Sequence, residues 1–415
     1  MTRVQKNFMV GVVSEGLWGM GMGFFLPATI LSLALVDLGR SASAAGLLAA
    51  ILSLGMSFPQ AFSALTFSPK FTNPKWLAWA HTPVILGPLA AGLGFLCLPK
   101  TALAAKLIFL FGGFSLFGVG IGFMAPHFLG CISRCIPEER RGRYFGTSFA
   151  ASGFAQTLSG TLGAHWAVKG GMDWGYTLCF LVSVPFLTAS VVLFSRFKPL
   201  HGPPAPPPPK ALRNSFRILS RRLLEPGPIR TGMLLTLLLL TASAPGNLFT
   251  VYLRESARMD VSWFQLFTPA TTVGFLAGSL LFGHLVDHRG LRAAFAVSFA
   301  CGLASLILIP FHGSPLWPSL AFFGSGTINA TWPVIILAMI LRLSHHREST
   351  IQAGLFNTLM SPWAFAVPLF SGWLADKAGY PWVFLLSIAC CLGAFWLLAR
   401  DGKLDEKKSG VSSGV

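Results

Sequence analysis

FMVGVVSEGLWGMGMGFFLPATILSLALV, residues 8–36, is a long apolar stretch that contains a single charged side chain, Glu15. A helix needs about 20 predominantly apolar residues to cross the ~30 Å hydrocarbon layer of a bilayer, and this stretch exceeds that length. It is also longer than the apolar core of a secretory signal peptide, and no cleavage-site pattern closes it. We therefore expect residues 8–36 to form a first membrane-spanning helix that carries a carboxylate at depth.

The remainder of the chain has the same apolar character. The 415 residues are 53% hydrophobic and 11% charged, with a mean hydropathy of +0.65, whereas soluble domains carry about 25% charged residues. This composition predicts an all-α membrane protein with 12 transmembrane helices. The predicted spans are residues 8–36, 43–66, 76–97, 104–132, 145–167, 175–195, 231–253, 262–286, 292–310, 317–341, 350–373 and 382–399.

Charge is distributed unequally between the two sides of these spans. The net charge of +17 comes from short gaps between apolar runs, which is typical of membrane topology and argues against nucleic-acid binding. Most of the 31 Lys and Arg lie on the side that holds both termini. We expect that side to be cytoplasmic, in a bacterial inner membrane, and no Lys or Arg to lie within the bilayer. The basic residues assigned to the opposite side are Arg40, Lys100, Lys106, Lys169, Arg254, Arg258 and Lys377.

The chain divides into two halves of six spans. Residues 197–230 contain the polyproline run GPPAPPPP and then a basic segment, for which we weigh an amphipathic helix on the anionic cytoplasmic leaflet against a disordered linker. This linker separates an N-terminal bundle, residues 1–196, from a C-terminal bundle, residues 231–400, which precedes a tail at 401–415. The stretches 166–183 and 373–387 resemble each other, as expected for pseudo-symmetric bundles that meet at a central site.

Enzymatic and metal-dependent functions lack their signatures. No nucleotide-binding glycine loop, H-E-x-x-H or G-x-S-x-G motif is present, so we predict no enzyme and no cofactor. The seven cysteines are odd in number and mostly inside apolar runs, which argues against a disulfide framework and against a metal site.

Two loop motifs carry a family resemblance. GHLVDHRGLR, residues 283–292, and PEERRGRYFG, residues 137–146, resemble loop signatures of the major facilitator superfamily (MFS) of transporters. SEGLWG and FPQAFSAL are similar to a poorly characterised bacterial subgroup, which indicates no substrate. The resemblance implies the MFS fold, a secondary active transporter working by alternating access, and we expect a monomer.

The resemblance also implies a cytoplasmic gate. Asp287 of GHLVDHRGLR is expected to act as its latch, with the amino end of span 11 among its partners. The corresponding loop of the first half, residues 63–76, has no acid, so a symmetrical double latch is in doubt. The alternative is that these loop residues only set topology and solubility. The basic gate candidates are Arg292, Arg347, Arg141 and Arg143.

Glu15 has candidate companions at the same depth. Counted from the cytoplasmic ends of their spans, Glu15, Gln60, His81 and His127 fall in one layer. A carboxylate with one or two imidazoles is a combination that can carry protons. We predict proton coupling through Glu15, His81 and His127, with direct substrate contact or a structural hydrogen bond as the alternatives.

The resemblance further implies a substrate cavity between spans 1, 4, 7 and 10. The absence of buried Lys or Arg disfavours strongly anionic substrates, so a small neutral, amphipathic or cationic solute is expected. Span 5 lacks the proline of the G-x-x-x-G-P antiporter motif, which weakens a drug exporter. The alternatives are a transport-inactive membrane receptor or scaffold, and a lipid flippase. The cavity candidates are Trp18, His127, Asn247, Asn329 and Trp332, with Gln60, Gln156 and Asn357 as further ones.

Overall fold

The computed structural model describes residues 2–66, 73–200, 228–343, 349–400 and 404, and every regular element in these ranges is helical. The polyproline and basic segment of the linker and nearly all of the tail at 401–415 lie outside the described residues. Twelve helices are present in the described ranges, and eleven of them are long and apolar enough to span a membrane. The prediction of an all-α protein with 12 transmembrane helices is confirmed.

The helices alternate in direction along each half. The first half consists of α1 (Arg3–Gly23, Pro27–Leu31 and Ser32–Asp37), α2 (Ala42–Ser57 and Pro59–Thr66), α3 (Pro74–Ala80 and Thr82–Cys97), α4 (Leu103–Cys135), α5 (Glu138–Gly170) and α6 (Gly175–Phe194). The second half consists of α7 (Pro228–Ser243, Ala244–Asn247 and Phe249–Glu255), α8 (Val261–Trp263 and Phe264–His288), α9 (Gly290–Leu308), α10 (Leu316–Asn329, Trp332–Ile336 and Leu337–Leu343), α11 (Ser349–Ala378) and α12 (Tyr380–Arg400).

Three helices change their winding at a proline. Pro27 opens a π-helical turn in α1, Pro245 lies in a 3₁₀ turn of α7, and Pro333 lies in a π-helical turn of α10. Proline has no backbone N–H and its ring displaces the preceding turn, so it interrupts the regular hydrogen-bond ladder.

The helix ends lie on two opposite faces of the molecule. We call the end that carries Arg3, Leu200 and Arg400 the terminal face, and the other end the loop face. On the terminal face the Leu200 N–H donates to the Arg134 carbonyl at 2.8 Å, which joins the ends of α6 and α4. The loop face carries hydrogen bonds and an ion pair that tie helix ends together. These are Tyr176 to Asp37 at 2.6 Å, Tyr380 to Glu255 at 3.4 Å, and Lys100 with Asp173.

Each bundle is held by its own aromatic core. Phe114 and Phe180 pack edge-on in the first bundle, with ring centroids 5.8 Å apart, and both are fully buried. Phe267 and Phe322 stack at 4.7 Å in the second bundle. Aromatic pairs of this kind stabilise the bundles beyond their area burial, by about 0.5–1.5 kcal/mol each.

The bundles meet along two helix pairs, α2 with α11 and α5 with α8. Gly46 lies against the backbone of Pro368, and Gly160 lies against Thr268. Small residues at these positions let the backbones approach closely, as helix contacts in membranes require.

The loop face is closed between the bundles. Thr250 donates to the Ala28 carbonyl at 2.6 Å, and Ser32 donates to the Asn247 carbonyl at 3.1 Å. These bonds join the broken parts of α1 and α7, so no path runs between these segments on the loop face.

One basic residue is buried at the loop face. The sequence analysis assigned Lys106 to the side opposite the termini, and the structure places it in the first turn of α4, at the loop face, where it is only 1% exposed. Its ammonium donates to the Phe95 carbonyl at 3.2 Å and lies 5.0 Å from the centroid of the Phe95 ring. The end of α3 therefore supplies both a hydrogen bond and a cation–π contact to this buried ammonium at the loop face.

Candidate functional site

A cavity of about 320 Å³ lies between the bundles, in the halves of the helices nearest the terminal face. Its wall is mostly apolar, with six aromatic side chains, and its polar groups come from α1, α2, α3, α6 and α11. This composition is typical of a pocket for a small molecule. The aromatic lining is Trp18, Phe128, Phe145, Phe149, Phe194 and Trp332, and the polar lining is Ser14, Glu15, Gln60, His81, Ser190 and Asn357.

Glu15 is the one charged side chain among the described residues that line the cavity. Within the described ranges its carboxylate makes no hydrogen bond and no ion pair. A carboxylate in a bilayer normally faces protein or a water-filled cavity, because hydrocarbon cannot solvate it. Glu15 is therefore placed where a proton or a cationic group entering the cavity would reach it.

The position of Glu15 is set by the packing of its neighbours on α1. Ser14 donates to the Ser190 carbonyl at 2.9 Å, and Ser190 donates back to the Ser14 carbonyl at 2.8 Å. Both serines are buried, so this reciprocal pair fixes α1 against α6. On the same helix, Gly11 leaves room for the ring of Tyr144 from α5.

His81 lies on the same cavity at a break in α3. Its Nδ1 is 2.6 Å from the Leu77 carbonyl, which favours the hydrogen on Nδ1 and leaves Nε2 as the acceptor. The ring packs edge-on against Trp18 of α1, with centroids 6.0 Å apart and an interplanar angle of 82°. This contact joins α3 to the helix that carries Glu15.

Gln60 and Asn357 connect the two bundles beside the cavity. The Asn357 Nδ2 donates to Gln60 Oε1 at 2.8 Å, and Gln60 Nε2 donates to the Met56 carbonyl at 2.8 Å. Asn357 Oδ1 is buried without a hydrogen-bond partner in the described part of the protein. An unsatisfied buried acceptor is destabilising by about 1–3 kcal/mol, so this oxygen is suited to a donor from a ligand or water.

Four of the sequence candidates do not line the cavity. His127 is 6% exposed and its ring interacts with the backbone of Ser63 in α2. Gln156 lies on the contact between α5 and α1, Asn247 accepts from Ser32 through its backbone, and the Asn329 side chain is exposed. These four positions are at suitable depths but on other sides of their helices.

The gate candidates are only partly described. Asp287 is exposed, and within the described ranges it makes no ion pair. Arg292 donates to the Ala399 carbonyl at 3.5 Å, at the end of α12. Arg143 is exposed. Arg347 and the side chain of Arg141 lie outside what the structure describes.

Several lining residues gave no signal in the sequence. Phe145, Phe149 and Phe194 look like ordinary apolar residues of their spans. They line one cavity because of the way α5 and α6 are rotated about their axes, which the sequence does not indicate. Ser14 could have been noticed, because it lies beside Glu15. No three His, Cys, Asp or Glu side chains cluster as metal ligands in the described ranges.

Two six-helix bundles around a central cavity are the architecture of a multi-pass membrane transporter. Residues 15–368 match the family model of the Major Facilitator Superfamily. The chain belongs to that superfamily.

Similar proteins agree with this assignment. The xylose transporter XylE from E. coli, in a partially occluded inward-open conformation, is 14% identical, with a TM-score of 0.67 over 99% of this chain and 100% of that one. A mutant of the nucleoside transporter NupG is 12% identical, with a TM-score of 0.65 over 96% and 99% of the two chains. These identities establish the fold alone.

One curated relative is similar in sequence. YaaU of Escherichia coli (strain K12), named as a metabolite transport protein, is 27% identical over 168 residues. The aligned stretch covers 37% of this chain and 37% of that protein.

Proposed function

We propose that the protein moves a small cationic or neutral amphipathic solute by alternating access, and that Glu15 couples this movement to protons. The observation that carries the proposal is the charge of the cavity: one carboxylate, no Lys or Arg, and an aromatic wall in the described lining. A carboxylate without a basic partner can be neutralised either by a proton or by a cationic group of a substrate.

The aromatic wall favours the same substrate class. Trp18 comes from the first bundle and Trp332 from the second, so a solute between them would contact both bundles. Aromatic faces attract organic cations and bury apolar groups. A dicarboxylate or sugar phosphate would find no cationic partner in the described lining, so such solutes are poor substrates.

His81 is the companion of Glu15 in this proposal. With the hydrogen held on Nδ1 by Leu77, Nε2 can accept a proton delivered through the cavity. The loop face is closed and the cavity lies toward the terminal face. With the terminal face cytoplasmic, as the distribution of Lys and Arg favours, this arrangement faces inward.

The test is solute-driven proton movement in proteoliposomes that contain an entrapped pH-sensitive dye. A panel of organic cations, neutral amphipaths, dicarboxylates and sugar phosphates is added to the full-length protein. We expect cations or neutral amphipaths to change the internal pH, and we expect Glu15→Gln to abolish that change. Coupled proton movement that persists in Glu15→Gln would remove Glu15 from the mechanism.

A matched control is available on the loop face. Glu255→Gln also removes one carboxylate, but Glu255 lies at the end of α7 and accepts from Tyr380. We expect Glu255→Gln to retain coupled proton movement. A response only to dicarboxylates or sugar phosphates would contradict the proposed substrate class.

A further inference from the structure

A second pocket, of about 370 Å³, lies on the terminal face between the start of α1 and the chain that follows α6. Its lining includes four basic side chains and no acid, and we call these four residues the basic pocket. Within the described ranges none of the four makes an ion pair. The basic pocket is Arg3, Lys6, Arg196 and Lys198.

The basic pocket is held in shape by a buried side chain. Asn7 is 2% exposed and donates through Nδ2 to the carbonyls of Cys135 at 2.9 Å and Lys198 at 2.8 Å. The Lys198 N–H donates back to Asn7 Oδ1 at 3.0 Å. These bonds clamp the segment that carries Arg196 and Lys198 against the helix that carries Arg3 and Lys6.

This arrangement concentrates positive charge on one side of the first bundle. Arg3 begins α1, whose first turn contains no acid, so a cation lies where the helix dipole already concentrates positive charge. Like charges held in one pocket repel each other, and no described acid lines the pocket to relieve them. The helix terminus itself is capped by Thr2 and Gln5, so a phosphate group would pair with the four cations.

An apolar surface continues from the pocket toward the middle of the membrane. Met9, which also lines the pocket, and Val13, one turn further along α1, are 53% and 47% exposed. A ligand that has a phosphate in the basic pocket would therefore have hydrocarbon contacts beside it. A free phosphate ion would use only the basic pocket and not the apolar surface.

We propose that the basic pocket binds the headgroup of an anionic phospholipid, whose acyl chains lie along Met9 and Val13. The site lies on the outer surface of the first bundle, away from the central cavity. It is independent of the substrate and of proton coupling, so its test does not require transport.

The test measures lipid binding to the purified full-length protein by native mass spectrometry. The probes are phosphatidylglycerol, phosphatidylcholine with the same acyl chains, and inorganic phosphate. We expect phosphatidylglycerol to bind with at least tenfold higher affinity than phosphatidylcholine, and phosphate not to compete at equal concentration. Equal binding of the two lipids would overturn the proposal, and full competition by phosphate would show a free-anion site instead.

Two double variants locate the site. Lys6→Gln/Arg196→Gln removes one cation from each side of the pocket, and we expect roughly a tenfold loss of phosphatidylglycerol affinity. Arg140→Gln/Arg400→Gln removes two exposed cations from the same face outside the pocket, and we expect much less change. Equal losses in both variants would mean that the whole face attracts lipid and that no built site exists. Lys6→Arg/Lys198→Arg keeps the charge, and it should bind as the wild type does if the pocket acts through charge.

Discussion

At Gly19 the backbones of α1 and α5 are in direct contact. A Cβ added there would lie 2.7 Å from Ser152 Cα and overlap the Ser152 carbonyl. Backbone cannot move aside as a side chain can, so Gly19→Ala should destabilise the protein by about 1–3 kcal/mol. We expect a lower melting temperature in detergent, measured by differential scanning fluorimetry of the purified variant.

Gly16 provides the matched control on the same helix. A Cβ at Gly16 would meet Ala151 Cβ at 3.9 Å, which is ordinary van der Waals contact. Gly16→Ala should leave the melting temperature unchanged or raise it, because alanine also favours the helix. An equal loss in both variants would show that the small-residue strip acts through flexibility and not through close packing.

The Ser14 and Ser190 pair should affect both stability and the position of Glu15. Ser14→Ala leaves the buried Ser190 carbonyl without the donor from Ser14, with an expected loss of about 1–2 kcal/mol. The variant should also weaken proton coupling, because Ser14 fixes the turn of α1 that carries Glu15. Ser195→Ala removes only a local bond to the Val192 carbonyl and is the control. Unchanged melting and coupling in Ser14→Ala would contradict this positioning role.

Depth can be predicted from a single sequence, but rotation about a helix axis cannot. Counting residues from span ends placed Glu15, Gln60, His81 and His127 in one layer. The structure brings the first three to one cavity, whereas His127 turns toward α2. Successive residues are roughly 100° apart around a helix, and packing against neighbours decides which face points inward. The apolar spans carry little amphipathic pattern to indicate that face.

Breaks within the helices could not be predicted from the sequence either. α1 was predicted as one continuous span, but it changes to a π-helical turn at Pro27. A proline in a membrane helix is compatible with a straight helix, a kink or a break, and neighbouring helices decide among these. Here Thr250 of α7 satisfies the Ala28 carbonyl, so the break depends on the opposite bundle.

The contact of α2 with α11 on the loop face should control opening of that face. Asp376 of α11 accepts from Ser41 Oγ at 2.7 Å and from the Ser43 N–H at 3.0 Å, at the start of α2. Asp376→Ala removes these bonds between the bundles and leaves free N–H groups at the helix terminus. We expect the open population of the loop face to rise severalfold.

Alkylation of a buried reporter measures this opening. Thr29→Cys, in a background without other cysteines, places a thiol at a site that is 4% exposed while the loop face is closed. Its alkylation should be several times faster when Asp376→Ala is added. Asp173→Ala is the control, because the ion pair of Asp173 with Lys100 lies within the first bundle. Equal rates in both backgrounds would show that Asp376 does not hold the loop face closed.

For the molecule as a whole, the superfamily fold followed from span count, charge distribution and two loop motifs. The closure of the loop face could not be predicted in this way, because it depends on hydrogen bonds between residues distant in sequence, such as Ser32 with Asn247. The cavity and the basic pocket likewise arise where distant segments meet. A single sequence carries the composition of such sites but not their assembly.

The orientation of the whole molecule remains a prediction that can be tested with single cysteines. Lys and Arg resist transfer across the membrane during insertion, so the terminal face, which is richer in them, should be cytoplasmic. Gln5→Cys and Arg289→Cys, both exposed on that face, should react with a membrane-impermeant maleimide only after cells are permeabilised. Lys100→Cys and His312→Cys, exposed on the loop face, should react in intact spheroplasts. Permeabilised samples of all four variants confirm that each thiol is reactive. The reverse pattern would invert the molecule, and the cavity near Glu15 would then open away from the cytoplasm.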